Sequence, residues 1–418
     1  MIETFNNLIK NNHWGKKPPN SGFLRENYLA QVQKVMGSRL IKVLIGQRRV
    51  GKSYILRQIM GRLTEKGGPS KNVFYLNKEL ADFSEVETFK DVRDLFLLYK
   101  KKIRPRGKIY VFLDEVQEIE GWEKIVNSLS QDPKEDTEVF ITGSNSKMLS
   151  SELGTHLSGR FVPFEVFPYS YEEFIALKRL PKGKDSFLEY LQEGGLPELN
   201  HLIDPETKYN YVRSLKDSIL LNDIVKRHSV KEFPLLVRLL AFLIGNIGGL
   251  FSINRIVSFM NDAKMHTNHE TLSNYLSYLR ESMIVHEAER YDIRGKNIIA
   301  GPRKYYLNDL SFRRYLSSGF DAGLSKHLEN AVYLKLRADG YHVYVGSLYD
   351  LEVDFIAEKG SVRKYFQVFA SLADERTAER EFRGLLKIKD NHEKCVVSLD
   401  DASFGGREGV RHRVAWDL

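Results

Sequence analysis

Cysteine is almost absent from this chain, since Cys395 is the only one among 418 residues. A single thiol cannot form a disulfide within the chain, so we expect the fold to be held together by its packed core. We also expect the protein to lie in a reducing compartment such as the cytoplasm. A long hydrophobic run is also missing. The longest apolar stretch, 234–251, contains Arg238, Asn246 and several glycines, and this predicts a buried helix and a turn with no membrane span. The segment 1–20 is polar and lacks the apolar core of a signal peptide.

Internal repeats and low-complexity tracts are absent as well. With 42% hydrophobic and 28% charged residues, the composition is typical of a soluble globular protein of two or three domains. The formal net charge of +8 is a mild basic excess. It permits a nucleic-acid partner without requiring one.

The most informative segment is 46–53, which reads GQRRVGKS and fits the phosphate-binding pattern G-x-x-x-x-G-K-[ST]. Gly46 and Gly51 allow a backbone that turns several N–H groups onto one oxyanion. Lys52 is placed to reach the β- and γ-phosphates, and the Ser53 hydroxyl to ligate Mg²⁺. We therefore predict ATP and Mg²⁺ as cofactors. The remaining residues predicted to contact the nucleotide are Gln47, Arg48, Arg49, Val50 and Tyr54.

The segments around this loop have the order strand, loop, helix that a phosphate-binding loop requires. An apolar strand, 40–45, precedes it, and the segment 53–60 continues with helical spacing. A helix beginning at about Gly51 would add its positive dipole end to the phosphate site. Arg48 and Arg49 either add positive field or face the solvent, and we rank both below Lys52.

A second element of the site is the apolar run 109–113, which ends in Asp114 and Glu115. Following a phosphate loop, this pattern predicts that Asp114 holds Mg²⁺, directly or through water, and that Glu115 polarises the attacking water. The alternative is a strand that ends in a solvated acidic turn.

Two further candidates follow along the chain. The strand-like run 138–142 leads to Ser144 and Asn145, either of which would lie near the γ-phosphate; the alternative role for this position is the N-cap of a helix near 147–153. Arg160 follows a glycine on a predicted loop. It would stabilise developing phosphate charge, in its own chain or across a subunit interface of a homo-oligomer, or else form a structural salt bridge.

Strand-like runs alternate with helical runs up to about residue 165, which predicts a parallel sheet covered by helices on both faces. The predicted fold class is therefore α/β, a P-loop NTPase domain over 1–165. A helical segment follows over 166–230. The segment 231–318 contains three helical patterns, 233–247, 253–262 and 269–281, and two strand-like pieces, 284–291 and 304–307. Ser252 is a candidate N-cap of the second helix, and Asn268 or Thr267 of the third. This order predicts a winged helix-turn-helix. The last section, 319–418, reads as a small α/β domain.

The segments that carry these motifs resemble a known family. The chain is similar to the predicted AAA+-like ATPases whose C-terminal part is the domain of unknown function DUF4143. The matching segments are 46–53, 113–115, 141–145, 157–160, 195–198, 306–309, 328–330 and 352–355. The resemblance covers nearly the whole chain. It implies an ATP-binding domain, a winged helix and a terminal domain similar to PD-(D/E)xK nucleases.

That terminal domain departs from the nuclease pattern. Glu329 and Asp354 fit the helix and strand acids that bind Mg²⁺. The next strand should carry Glu-x-Lys, but it reads Gln367-Val368-Phe369, and Lys364 lies on the wrong side of Gln367. Two anionic ligands without a lysine make a poor site for a hard cation. We therefore expect a retained fold and lost cleavage, with hydrogen bonding as the structural alternative for both acids.

The predicted winged helix is the candidate for binding duplex DNA. Its second strand-like piece and the loop before it are basic, and five residues are predicted to contact the phosphate backbone: Arg290, Arg294, Lys296, Arg303 and Lys304. Glu270 and Glu281 on the predicted recognition helix would repel phosphate. Many winged helices bind protein instead, so both partners stay open.

The leading hypothesis is an ATP-hydrolysing molecular switch with a DNA-binding winged helix and a degenerate nuclease-like domain. A nucleotide-gated regulatory scaffold with little turnover is the alternative, and an ATP-dependent nuclease is a third possibility that Phe369 disfavours. No guanine-reading motif is evident, so ATP is preferred by resemblance alone.

Overall fold

The computed structural model describes residues 2–12, 14, 21–65, 69–146, 157, 159–317, 323–371, 375–401 and 406–418. These form two compact units, Met1–Val166 and Phe167–Leu418. The first boundary lies one residue from the predicted position, whereas the boundaries predicted at 230 and 318 fall inside the second unit. Among the described residues, no helix is both long enough and apolar enough to cross a membrane.

The first unit is built on a parallel sheet, which in the described residues has five strands in the order β2-β3-β4-β1-β5. These strands are β1 (Ile41–Ile45), β2 (Val73–Asn77), β3 (Ile109–Asp114), β4 (Thr137–Gly143) and β5 (Phe161–Glu165). All residues of β1, β2 and β4 are buried, as expected for parallel strands that are covered on both faces. The predicted α/β fold class is confirmed for this unit.

Five helices accompany the described part of this sheet: α1 (Ile2–Asn12), α2 (Glu26–Gln33), α3 (Lys52–Glu65), α4 (Phe89–Ile103) and α5 (Trp122–Gln131). Helix α1 lies beside the edge strand β2. The Asn12 side-chain amide donates to the Tyr75 carbonyl at 2.8 Å and accepts from the Tyr75 N–H at 2.6 Å. The Trp14 indole N–H donates to the Val73 carbonyl at 2.7 Å. These side chains satisfy backbone groups that a bare edge strand would expose.

The helices of the second unit begin with α6 (Tyr171–Lys178), α7 (Lys184–Glu193) and α8 (Pro205–Ser218). Helix α8 continues through a π-helical segment, Ile219–Val225, and one further turn, Lys226–His228. Next come α9 (Phe233–Gly245), the short strand β6 (Leu250–Phe251), α10 (Ile253–Asp262) and α11 (His269–Glu281). Ser252 and Asn268 cap α10 and α11, which explains where these helices begin.

The rest of this unit is mostly strand. The elements are β7 (Val285–Asp292), β8 (Asn297–Leu307), α12 (Ser311–Leu316), α13 (Leu324–Ala338), β9 (His342–Leu348), β10 (Leu351–Lys359), β11 (Val362–Val368), α14 (Glu375–Leu386), β12 (Glu393–Ser398), β13 (Gly406–Arg407) and β14 (Val410–Val414). In the described residues one nine-stranded sheet runs β13-β14-β12-β11-β10-β9-β7-β8-β6. Strands β7 and β9 pair in parallel, Arg290 to Val345 and Asp292 to Ser347. The sheet therefore crosses the boundary predicted at 318.

Candidate active site

The loop between β1 and α3 has the backbone of an anion-binding turn. Gly51 has φ of 97° and Arg49 has φ of 70°, so two of its residues lie in the left-handed region. A Cβ on Gly46 would lie 2.3 Å from the Val166 carbonyl oxygen, which leaves room for glycine alone. Helix α3 begins at Lys52 and directs its N–H groups into this turn.

Lys52 lies inside the loop, with only 4% of its surface exposed. Its ammonium donates to the carbonyl oxygens of Gly46 at 3.0 Å and Gln47 at 3.2 Å. The same nitrogen is 3.4 Å from Glu115 Oε1. The lysine charge is thus placed where the loop would cradle a phosphate, and Glu115, which follows β3, faces it.

Asp114 ends β3 and receives three hydroxyl donors. Thr142 Oγ1 donates to Oδ1 at 2.5 Å, Ser53 Oγ donates to Oδ1 at 3.1 Å, and the Tyr75 hydroxyl donates to Oδ2 at 3.0 Å. Burial raises the pKa of this carboxyl, and the Glu115 charge adds to the rise, while the hydroxyl donors oppose it. A buried carboxylate beside a hydroxyl is a donor set that suits Mg²⁺, so these residues fit the metal that the sequence predicts.

Glu115 follows Asp114 in a left-handed conformation, with φ of 57°. Its N–H donates to Thr142 Oγ1 at 2.8 Å, and its Oε2 accepts from Gln117 Nε2 at 2.5 Å. Burial acts to raise the pKa of Glu115, but Lys52 and Gln117 outweigh it, and the net pKa is lowered. A strained backbone holds an ionised carboxylate at the edge of the site, as a group that accepts a proton from water requires.

Ser144 and Asn145 follow the end of β4 and are buried. Strand β4 lies between β1 and β3, so their backbone is at the same edge of the sheet as Gly46 and Asp114. Gln117 Nε2 also approaches Ser144 Oγ at 3.4 Å. The helix considered near 147–153 lies outside the described residues.

The other loop residues differ in their surroundings. Val50 is buried in the core, and its carbonyl accepts from the Arg25 guanidinium at 3.2 Å. Arg48 forms an ion pair with Glu79, and Arg49 is exposed. Tyr54 is 48% exposed, and the Arg57 guanidinium lies 5.3 Å from its ring centre. The proposed nucleotide contacts of Arg48, Arg49 and Tyr54 thus come from side chains at the rim of the loop.

Arg160 directly precedes β5, at the strand ends opposite the phosphate loop. Its carbonyl accepts from the N–H of Ile41, the first residue of β1, at 2.9 Å. The phosphate loop follows Ile45, four residues further along the strand, which is about 13 Å at the rise of a parallel strand. The exposed Arg160 side chain therefore starts far from the loop of its own chain, which favours the alternative of a phosphate contact across a subunit interface.

Sequence reasoning missed Tyr75, Thr142 and Gln117. Tyr75 and Thr142 contact Asp114, and Gln117 contacts Glu115. Thr142 lies in the predicted strand directly before Gly143, and its position at a strand end was an available signal. Tyr75 lies on β2, and its contact with Asp114 depends on the pairing of β2 with β3, which local sequence does not reveal.

The basic residues predicted for DNA contact do not form one exposed surface. Lys304 is only 2% exposed and contacts carboxylates, so the prediction that it binds a phosphate backbone is wrong. Arg303 lies in β8, not in the loop before it, and pairs with Glu287 and Glu289. Arg290 donates to Ser347 Oγ at 3.0 Å. Arg294 and Lys296, in the turn between β7 and β8, are exposed.

The residues compared with a nuclease site do come together. Lys304 Nζ is 2.8 Å from Glu329 Oε1 and 3.3 Å from Asp354 Oδ1. Gln367 Oε1 accepts from the Asp354 N–H at 3.3 Å, whereas Lys364 pairs with Glu393 at 2.9 Å, outside this group. Within the described residues, no group of three or more His, Cys, Asp or Glu side chains has an arrangement that could hold a metal ion.

Comparison with known families matches two regions of the chain. Residues 38–175 match the AAA domain family AAA_14, and residues 184–325 match the domain of unknown function DUF8612. The first match confirms an AAA-type P-loop ATPase domain. The second replaces the DUF4143 assignment that the sequence resemblance implied.

Three relatives extend this comparison. An uncharacterized protein of Haemophilus influenzae is 36% identical over 378 residues, covering 90% of this chain and 92% of that protein. The uncharacterized protein MJ1544 of Methanocaldococcus jannaschii is 29% identical and covers 87% of this chain and 83% of its own. The solved structure of the Walker-type ATPase PABY2304 of Pyrococcus abyssi has a TM-score of 0.49 and 17% identity, covering 70% of this chain and 95% of its own.

Proposed function

Because the chain belongs to the family of the Haemophilus influenzae protein and carries an AAA-type ATPase domain, we propose that it binds and hydrolyses Mg-ATP as a molecular switch. The observation that carries the proposal is the ion pair of 3.4 Å between Lys52 and Glu115 at the mouth of the phosphate loop. A loop that only binds nucleotide needs the lysine. Hydrolysis also requires a group that activates water, and a buried, ionised glutamate beside the lysine can fill that role.

Each residue of the site has a proposed role that its position supports. The loop N–H groups and Lys52 would bind the phosphates, and Ser53 and Asp114 would hold Mg²⁺, which would supply charge neutralisation for phosphoryl transfer. Glu115 orients water and accepts its proton. Gln117 holds one oxygen of Glu115, and Thr142 fixes the backbone at Glu115 and a carboxylate oxygen of Asp114. Asn145 contacts the γ-phosphate or the water, and Arg160 comes from a neighbouring subunit.

Steady-state phosphate release and ATP binding test this assignment. Glu115→Gln should retain ATP binding and lower turnover about 100-fold or more, because it removes the proton acceptor. Lys52→Ala should lose ATP binding. Glu118→Gln is the matched control, since Glu118 lies in the same short turn and is exposed. Turnover of wild type no higher than that of Glu115→Gln, together with tight ATP binding, would favour the regulatory scaffold instead.

Binding of duplex DNA is the proposed output of the switch. Helices α9, α10 and α11 followed by the β7–β8 hairpin have the order of a winged helix-turn-helix, and Arg294 and Lys296 are exposed at the hairpin turn. Replacing both with alanine should weaken binding of every duplex sequence and reduce the slope of log affinity against log salt by about 2. Arg411→Ala, on β14 with a side chain 70% exposed, is the control. An unchanged slope in the double variant would reject this surface.

A further inference from the structure

A lysine occupies the centre of the carboxylate cluster formed by Glu329 on α13, Glu352 and Asp354 on β10, and Lys304 on β8. The Lys304 ammonium is 2.7 Å from Glu352 Oε1, 2.8 Å from Glu329 Oε1 and 3.3 Å from Asp354 Oδ1. An ammonium has three N–H donors and no acceptor. Two of these donors go to Glu329 and Asp354, and Glu352 adds a third negative charge beside the ammonium.

The two buried acids, Glu329 and Asp354, also accept from other donors. The Tyr306 hydroxyl donates to Glu329 Oε1 at 2.8 Å, and Lys326 Nζ donates to Glu329 Oε2 at 2.9 Å. The Val368 N–H donates to Asp354 Oδ2 at 2.9 Å. Gly248 packs closely over this group, since a Cβ there would lie 3.0 Å from both Glu329 oxygens. A divalent ion would have to displace protein donors from both acids.

Burial decides between two roles for the lysine. A catalytic lysine must reach a scissile phosphate, but the side chains of Lys304, Glu329 and Asp354 are only 3%, 5% and 11% exposed. Burial acts to lower the pKa of Lys304, and the three carboxylates outweigh it and raise the pKa above its ordinary value. The lysine stays charged in a place that a duplex cannot enter.

We propose that Lys304 is the fixed cation of this cluster and takes the position that a divalent metal would hold between Glu329 and Asp354. The cluster then needs no metal, does not cleave nucleic acid, and joins the β7–β8 hairpin to α13 and β10. This inference does not depend on ATP hydrolysis in the first unit.

Thermal unfolding of the full chain with and without Mn²⁺, at pH 8 and without nucleotide, tests the proposal. Burial raises the pKa of Asp354 to about 7 in the wild type, and Lys304 opposes that rise. Removing the lysine therefore raises the pKa further, and the alkaline pH makes it easier for Mn²⁺ to displace the proton from this acid. Lys304→Met should lower the unfolding temperature, and Mn²⁺ should recover about 3–6 °C of the loss. Adding Asp354→Asn should abolish that recovery, which separates this cluster from the metal site at Asp114.

Two variants control for charge and for contact. Lys304→Arg keeps a cation, and Lys326→Met removes a half-exposed lysine that contacts the same glutamate; neither should respond to Mn²⁺ beyond the wild type. If Lys304→Met is insoluble, neutralising Glu329 or Asp354 in the same chain should restore soluble protein, and failure to do so would contradict the proposal.

Two results would overturn it. One is a folded Lys304→Met variant whose unfolding temperature does not respond to Mn²⁺. The other is plasmid cleavage by the wild type in Mn²⁺ that Asp354→Asn abolishes, because that activity requires a metal where the lysine lies.

Discussion

The Tyr75 hydroxyl donates a hydrogen bond of 3.0 Å to Asp114 Oδ2, and this bond links the edge strand β2 to the proposed Mg²⁺ ligand. Burial and the Asp114 charge raise the pKa of Tyr75 far above its ordinary value, so the hydroxyl remains a donor at any working pH. Asn12 holds the backbone of the same tyrosine from α1. The orientation of Asp114 therefore depends on residues well outside the sequence motifs.

Tyr75→Phe tests that dependence. Without the hydroxyl, Asp114 Oδ2 loses this donor while Thr142 and Ser53 still hold Oδ1. We expect the Mg²⁺ concentration for half-maximal phosphate release to rise about 10-fold or more, in line with the loss of one hydrogen bond to a charged group, about 1.5–3 kcal/mol. A Mg²⁺ titration of phosphate release at saturating ATP measures this. Tyr99→Phe is the matched control, because it removes a hydroxyl that donates to the Lys71 carbonyl at 2.7 Å, away from the site. An equal shift in both variants would contradict the positioning role.

Arg160 should act across a subunit interface if it acts on phosphate. We expect Arg160→Ala and Glu115→Gln to be inactive separately and to regain phosphate release when mixed, since a mixed assembly pairs an intact Glu115 with an intact Arg160. Phosphate release across a range of mixing ratios is the measurement. Mixing Arg160→Ala with the double variant Arg160→Ala/Glu115→Gln should restore nothing. No recovery in the first mixture would leave Arg160 with a structural role.

A buried ion pair joins the starts of β1 and β4, at the strand ends opposite the phosphate loop. Lys42 Nζ and Glu138 Oε1 are 2.7 Å apart, with side chains 0% and 1% exposed. Lys42→Met leaves the buried Glu138 with only the more distant Lys108, 3.7 Å away, as a cationic partner, and we expect it to lower the free energy of unfolding by about 3 kcal/mol. Lys42→Met/Glu138→Gln should recover much of this loss, because the amide still accepts from the Gly37 N–H. Denaturant titration measures both, and equal losses in the two variants would contradict the charge argument.

The buried Asp309 carboxyl should make the stability of the second unit depend on pH. It accepts from the Gly195 N–H at 2.7 Å and the Ser311 N–H at 2.9 Å, yet burial raises its pKa to about 6. The folded state therefore favours the protonated acid, and the stability from this group is present below about pH 4 and is lost as the pH rises to about 6. This loss is on the order of 3 kcal/mol.

The measurement is the difference in unfolding free energy between wild type and Asp309→Asn from pH 4 to 7. The wild type should lose stability relative to the variant across that window, whatever the offset between them at pH 4. Asp185→Asn is the control, since Asp185 is exposed in the first turn of α7. A difference for Asp309→Asn that does not vary with pH would contradict the prediction.

Local sequence predicted those features that depend on short-range chemistry. The bounds of α10 and α11 agree with the predicted 253–262 and 269–281, because Ser252 and Asn268 mark the starts and the apolar spacing marks the faces. The loop, Asp114 and Glu115 were likewise predicted from their order along the chain. The bounds of β8 were not, since the predicted strand 304–307 is only the end of Asn297–Leu307.

Long-range packing explains the main errors. Lys304, the first residue of the predicted strand 304–307, is expected from the sequence to contact phosphate, but strand alternation places it on the same side as Tyr306, and both contact Glu329. Nothing in a window around residue 304 reveals the acids at 329 and 354. The same limit applies to Tyr75, whose partner is 39 positions away along the chain.

The parallel pairing of β7 with β9 has a consequence for how this protein can be divided. Arg290–Asp292 and Val345–Ser347 satisfy each other's backbone groups along a shared ladder. A fragment ending near residue 318 would bare one side of β7, and a fragment starting there would bare one side of β9, each an unpaired edge open to aggregation. Fragments made for crystallography or binding assays should therefore keep residues 167–418 together, and any displacement of the hairpin carries the terminal sheet with it.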